Sequence, residues 1–436
     1  MPTDLTKLDT ETLLAVSGKL RARYDDLRAR GLRLDMTRGK PSSAQLDLAS
    51  PLLSLPGPDD YKAADGTDCR NYGNPQGLPE ARALLSGPFQ IPAAQMVFGN
   101  NSSLALMHDC IVYAMLHGTC DSRSPWSKEA AASGPVAFIC PVPGYDRHYH
   151  LCEEYGIELI TVPMTDRGPD MDTVERLVAS DPRIKGMWCV PKYSNPTGAI
   201  YDEETARRLA SMRTAAPDFR LFWDNAYAVH HLTDERVEIP DMLALCERAG
   251  QPNRPFVFGS TSKITLAGSG LALFGGSPEN VKWLLARMSR RTIGPDKLNQ
   301  LRHVRFLRDE AGLHAHMERH RAIIGPKFDA VQEIFERELG GSGVARWTTP
   351  KGGYFVSLDV MDGCARRVIE LAKEAGIAVT PAGATFPGGR DPHDRNIRIA
   401  PTFPDVAEVR QAVEGIALCA LVAAVDRLLG SRHANA

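Results

Sequence analysis

One theme recurs through the middle of the chain. A short, continuous apolar run stops at a polar or Gly/Pro-rich loop, and a helical pattern usually follows. Gln95-Met96-Val97-Phe98 runs into Gly99-Asn100-Asn101-Ser102-Ser103, ahead of the helix-like LALMHDCIVYAML. Val136 to Ile139 leads to Pro141-Val142-Pro143-Gly144-Tyr145, and Met187 to Val190 leads to the loop around Asn195. Leu221-Phe222-Trp223 stops at Asp224 and Phe256-Val257-Phe258 at Gly259; Leu271 to Phe274 is a further candidate strand. A strand with one wet face alternates apolar and polar residues. A run that is apolar at every position suits a strand covered on both faces, as in a mostly parallel sheet between helices. In such sheets ligands sit beyond the carboxyl ends of the strands. Every polar cluster just named lies at such an end.

The texture changes after about residue 300. Leu301 to Leu339 is charged with a helical period, Gly352 to Leu358 and Asn396 to Ile399 read as strands, and the chain from Pro404 onward is helical. Near the start, Leu13, Leu14, Leu20, Tyr24 and Leu27 follow a helical spacing. With 436 residues the chain exceeds the size at which one core stops growing. The expected organisation is an N-terminal segment, 1–50, that joins a small α+β domain, 301–436, with a large domain over 51–300.

Charge and cysteine content narrow the function classes. Lys plus Arg total 51 against 53 Asp plus Glu, which speaks against a nucleic-acid partner. The nine cysteines are widely spaced and contain no C-x-x-C, so neither a disulfide framework nor a metal site is expected. No apolar stretch is long enough to span a membrane, and the first residues lack a signal-peptide pattern, so a cytoplasmic location is expected.

Four residues carry the candidate chemistry. Asn195 lies in Ser194-Asn195-Pro196-Thr197-Gly198, Asp224 follows 29 positions later, Lys263 39 positions after that, and Arg398 is near the C-terminus. An aldehyde cofactor built on a pyridine ring needs residue types of this kind. A lysine amine attaches the aldehyde. A carboxylate (Asp224) keeps the ring nitrogen protonated, and Asn195 and Tyr227 can donate to a phenolic oxygen. Ser102, Ser103, Ser260 and Ser262, with backbone N–H groups at a helix start, suit a phosphate. The guanidinium fork of Arg398 suits a substrate α-carboxylate. Taken singly each residue is weak evidence; their order and spacing carry the argument.

That order resembles the fold-type I enzymes dependent on pyridoxal 5′-phosphate (PLP), specifically the class I and II aminotransferases. The resemblance runs from about Asp35 to Pro404 and rests on Asn195-Pro196-x-Gly198, Asp224-x-x-Tyr227 and Ser260-x-x-Lys263. It implies a seven-stranded sheet in the large domain and a Schiff base between Lys263 and the cofactor. Pro143-Gly144-Tyr145-Asp146-Arg147-His148 resembles the loop whose aromatic, here Tyr145, stacks on the cofactor, with His148 behind Asp224. Asn71 to Arg82 resembles the segment whose tyrosine, here Tyr72, reaches the phosphate in the neighbouring subunit, implying a homodimer with shared sites. Gly39 matches a glycine beside the substrate. In one respect the chain departs from the family. The usual arginine eight residues after the lysine is missing, since Ile264 to Leu271 holds no cation. This and the Arg38-Gly39-Lys40-Pro41 loop are similar to the MocR-like, or type Ic, aspartate aminotransferases.

The subgroup implies transamination between aspartate and 2-oxoglutarate, with Arg290, Arg291 or Lys297 as candidate cations for a side-chain carboxylate. A C–S lyase or a broad alanine/aromatic aminotransferase is the alternative, because the lysine and aspartate are shared among PLP reactions. Ser260-x-x-Lys263, Tyr193-Ser194-Asn195 and Lys351-Gly352-Gly353 also echo penicillin-binding serine enzymes, but in the wrong order. Gly268-x-Gly270 lacks the third glycine of a nucleotide fingerprint. A MocR-type regulator needs a DNA-binding domain ahead of Asp35, where only about 35 residues stand.

Overall fold

Continuous apolar runs become the interior strands of a central sheet in the computed structural model, which describes residues 4–434. A two-residue strand, β1 (Leu34–Asp35), lies outside that sheet. The sheet itself comprises β2 (Met96–Phe98), β3 (Ala137–Val142), β4 (Glu158–Thr165), β5 (Gly168–Pro169), β6 (Ile184–Cys189), β7 (Arg220–Asp224), β8 (Pro255–Ser260) and β9 (Ala272–Gly275). Its order is β2-β9-β8-β7-β6-β3-β4-β5. Neighbours from β8 through β4 are parallel, whereas β9 runs antiparallel to both β2 and β8. The sheet therefore has eight strands where seven were expected. The addition, β5, is a Gly-Pro pair antiparallel to β4 at the edge, too short to register as an apolar run. Every residue of β6 and β7 is buried, as expected for strands covered on both faces.

The small antiparallel sheet has the order β10 (Ala345–Trp347), β11 (Val356–Val360), β13 (Asn396–Ile399), and β12 (Ile377–Ala378) pairs in parallel with β1. Leu13, Leu20, Tyr24, Leu27 and Met36 pack in one apolar cluster with Phe328 to Val425, so the N-terminal segment belongs to the core of the C-terminal part. The 30-residue helix Glu310–Leu339 is about 45 Å long. Its Leu313 and Met317 pack with the sheet's cluster and its Phe328 and Ile334 with the other, so one helix serves both cores. Among the described residues no helix is long and apolar enough to cross a membrane, and no group of His, Cys, Asp or Glu is arranged to hold a metal. All nine cysteines are free.

The strand expected from Gly352 begins only at Val356. Gly353 takes φ 83° there, and a Cβ at Gly352 or Gly353 would run into Tyr193 at 2.2 and 2.9 Å. The glycines let residues 352–355 fold over the Tyr193 loop, which carries Phe355 to the end of the large sheet.

Candidate active site

Parallel strands deliver their carboxyl ends to one edge, and the polar loops meet there. Asp224 is the last residue of β7, Lys263 follows the end of β8 by three positions, and Asn195 is in the loop after β6. Tyr145 follows β3, and Ser103 opens the helix Ser103–His117 after β2. Eight of the residues singled out in the sequence line one cavity: Gly39, Ser103, Tyr145, Asn195, Asp224, Tyr227, Ser260 and Lys263. Phe355 lines it too, with Leu104, Met107, Val190 and Ala226 as further apolar wall. These five went unread in the sequence; only Phe355, beside the Gly352-Gly353 turn, carried a local signal.

Burial sets the electrostatics. Lys263 is half-buried at the cavity wall, and loss of water lowers the proton affinity of its amine below the ordinary lysine value, while Asp224 pulls the other way. Its Nζ lies 5.1 Å from the centre of the Tyr227 ring. Burial also raises the Tyr145 hydroxyl to about 12, and pushes that of Tyr227 well up, each aided by the nearby Asp224 carboxylate. Both phenols are therefore hydrogen-bond donors across the physiological range.

Asp224 is held from behind. His148 Nε2–H donates to Asp224 Oδ2 at 3.1 Å, and the imidazole lies flat on Trp188, with ring centres 4.2 Å apart and planes within 7°. The other oxygen, Oδ1, is buried and has no partner. Tyr145 meets the His148 ring edge-on at 4.9 Å.

A second polar layer lies under Lys263 and carries no motif. Tyr354 Oη donates to the Lys263 carbonyl at 3.3 Å, Gln45 Nε2 donates to Tyr354 Oη at 3.0 Å, and the same amide nitrogen lies 3.1 Å from His320 Nδ1. His320 reaches His316 at 3.1 Å, which reaches the Ile264 carbonyl at 2.7 Å. Gln45, His316, His320 and Tyr354 come from three distant stretches of chain, so no local pattern could have revealed them.

The serines divide. Ser103 and Ser260 line the cavity, whereas Ser102 Oγ caps its helix by accepting from Ala105 N–H at 3.2 Å, and Ser262 Oγ donates to the Asn101 carbonyl at 3.1 Å. Lys263 is the only Lys or Arg among the described residues lining the cavity. An anion there would meet hydroxyls and the positive end of the helix Ser103–His117 rather than a guanidinium. Gly270, close to the place of the missing arginine, packs against Ser262; a Cβ would meet its backbone nitrogen at 2.9 Å. Arg398 is 8% exposed, and its Nη1 lies 3.5 Å from Asn195 Oδ1.

Some expected residues are not brought to this cavity. Tyr72 is 79% exposed. Of the three cations suggested for a side-chain carboxylate, Arg291 pairs with Asp109 at 2.7 Å and Arg290 is exposed. Lys297 is buried, with its ammonium donating to the Asn71 and Gly73 carbonyls at 2.6 and 3.0 Å. That speaks against Lys297 as the cation for a side-chain carboxylate, because its ammonium serves the backbone on either side of Tyr72.

The sheet order, the strand-end cavity and the presence of both Asp224 and Lys263 on its wall agree with a match to the aspartate amino-transferase family over residues 8–432. The chain belongs to that family. It is 51% identical to the aspartate aminotransferase of Corynebacterium glutamicum, over 97% of this chain and 96% of the relative. The crystal structure of an aspartate transaminase from that organism superposes with a TM-score of 0.95 at 50% identity, covering 98% of this chain and all of the other. More distantly, the α-aminoadipate aminotransferase of Thermus thermophilus, solved with N-(5′-phosphopyridoxyl)-L-leucine, shares the fold (TM-score 0.71, 21% identity, 94% and 96% coverage). This aminotransferase is accordingly a PLP-dependent enzyme of fold type I. Its residues fit that cofactor on one direct observation: a buried carboxylate oxygen, Asp224 Oδ1, with no hydrogen-bond donor of its own chain.

Proposed function

We propose that this aminotransferase moves the amino group between aspartate and 2-oxoglutarate, with Lys263 as the attachment point for PLP and as the proton carrier. The observation that carries the reading is Lys263 itself. A half-buried amine, with its proton affinity lowered by lost hydration, shares with Asp224 a cavity walled by Tyr145 and Tyr227.

PLP, when bound, supplies a carbonyl that exchanges amine partners and a ring that withdraws electrons from the substrate's Cα. Asp224 Oδ1 would accept from the ring nitrogen, while His148 and Trp188 hold Oδ2 in place. Asn195 and Tyr227 would donate to the phenolic oxygen, and Tyr145 would cover the ring. Ser103, Ser260 and the helix start would hold the phosphate, with Ser102 and Ser262 shaping that end through their backbone bonds. Tyr72 would reach the same phosphate in a second subunit of a homodimer. Arg398 would bind the α-carboxylate, with Asn195 beside its Nη1 and Gly39 lining the approach. Lys263 Nζ, its proton affinity lowered by loss of water, would take the proton from the substrate's Cα. Retention of the carboxylate by Arg398 favours transamination over decarboxylation. Similarity to the C. glutamicum enzyme favours aspartate.

The test is a half-reaction. PLP-loaded protein is mixed with each amino acid in turn and its absorbance near the visible edge is followed. The reading expects a fast loss of the band with aspartate and glutamate and none in Lys263→Ala. Faster reaction with alanine or phenylalanine would sink the dicarboxylate assignment.

A further inference from the structure

Arg398 already meets a carboxylate of its own chain. Its Nη1 donates to Asp146 Oδ1 at 3.1 Å, while its Nε is buried without a partner. The pair is well sheltered, with the Arg398 side chain 9% and the Asp146 side chain 22% exposed. The two residues come from different parts of the fold. Asp146 is the first residue of the helix after β3, directly after Tyr145, and Arg398 is in β13 opposite Ser357. The guanidinium carbon lies 5.0 Å from the centre of the Phe355 ring, which walls the cavity.

We propose that Asp146 is a resident counter-ion that sets the affinity of the Arg398 subsite for carboxylates, weakening it by like-charge repulsion. The inference rests on the assignment of Arg398 to the substrate's α-carboxylate. A buried guanidinium without an anion is costly, so a site lacking Asp146 would recover that cost by gripping any carboxylate that entered. With Asp146 in place the cation is already compensated. An incoming carboxylate gains hydrogen bonds on the free Nε side and meets a second negative charge a few ångströms away. The reaction alternates between acids that leave by the route they enter. Gripping substrate, intermediate and product equally would lower KM without raising kcat, so the counter-ion keeps the subsite exchangeable.

Asp146→Asn preserves shape and removes the charge. In the PLP-loaded enzyme we expect maleate, a dicarboxylate with no amino group to transfer, to inhibit this variant at a concentration lower by about tenfold. KM for aspartate should fall in parallel, with no rise in kcat. The sign is diagnostic, because loss of a merely structural contact weakens binding. Asp146→Ser serves the same comparison if the asparagine variant does not fold. Unchanged or weaker maleate inhibition in the folded variant overturns the inference, and so does an enzyme that maleate inhibits in neither form. Turnover of aspartate by the wild type is a separate readout. Its absence removes the aspartate reading, while the ratio of maleate constants still decides the role of Asp146.

Discussion

The imidazole of His148 lies 3.1 Å from one oxygen of Asp224 and leaves the other oxygen buried and unpaired. The carboxylate is thus fixed in orientation with one acceptor kept open. Asp224→Asn presents an amide in place of a charge and should lower kcat on aspartate by about a hundredfold or more. His148→Asn should cost less, on the order of tenfold, because it loosens the orientation and leaves the charge. Steady-state rates of the two variants check this; an Asp224→Asn enzyme within about tenfold of wild type contradicts the role.

Gly39 faces the ring of Phe355, and a Cβ there would lie 2.1 Å from Cζ. Gly39→Ala therefore forces the ring or the loop to move, at a cost of about 1–3 kcal/mol. We expect a raised KM for aspartate with melting temperature little changed, and recovery of KM in the double variant Gly39→Ala/Phe355→Leu. A double variant no better than the single one would separate Gly39 from Phe355.

Lys297 clamps the carbonyls on either side of Tyr72. If Tyr72 serves a second subunit's phosphate, Lys297→Met should speed cofactor release as Tyr72→Phe does. Combining the two should add little, because both act on one contact. Cofactor release is measured by absorbance after dilution into a PLP trap. Additive losses would assign Lys297 to general stability alone.

Histidines buried in neutral form make stability depend on pH. Burial lowers His303 to about 4 and His320 to about 3, the latter further depressed by His316. The unfolded chain takes up these protons near pH 6.5 and the folded chain does not, so stability is full above that pH. It is lost as pH falls from 6.5 toward the folded values. Each histidine contributes a slope of up to about 1.4 kcal/mol per pH unit in that window. His303→Gln should flatten the fall in denaturant-unfolding free energy between about pH 6.5 and 4.5. An unchanged slope would mean that His303 protonates in the folded state.

Strand ends were readable in the sequence because burial on both faces demands unbroken apolar runs, and Asp224, Asn195 and Lys263 stand where those runs stop. The eighth strand escaped notice because a Gly-Pro pair held by β4 has no period of its own. Polar contacts spanning hundreds of residues escaped for a related reason: Gln45 bonds Tyr354 and Arg398 bonds Asp146 across 309 and 252 positions.

By itself, then, the sequence determined the layered α/β architecture, the edge of the sheet that carries the candidate site, and most of the polar residues around the cavity. Those follow from local hydrophobic pattern and short motifs. Only the tertiary structure decided which oxygen of Asp224 stays free, that Lys297 serves a backbone turn, and that Arg398 already holds an anion. Each depends on which groups the fold places within about 3 Å of one another, a distance at which hydrogen bonding and desolvation decide the outcome and about which sequence spacing is silent.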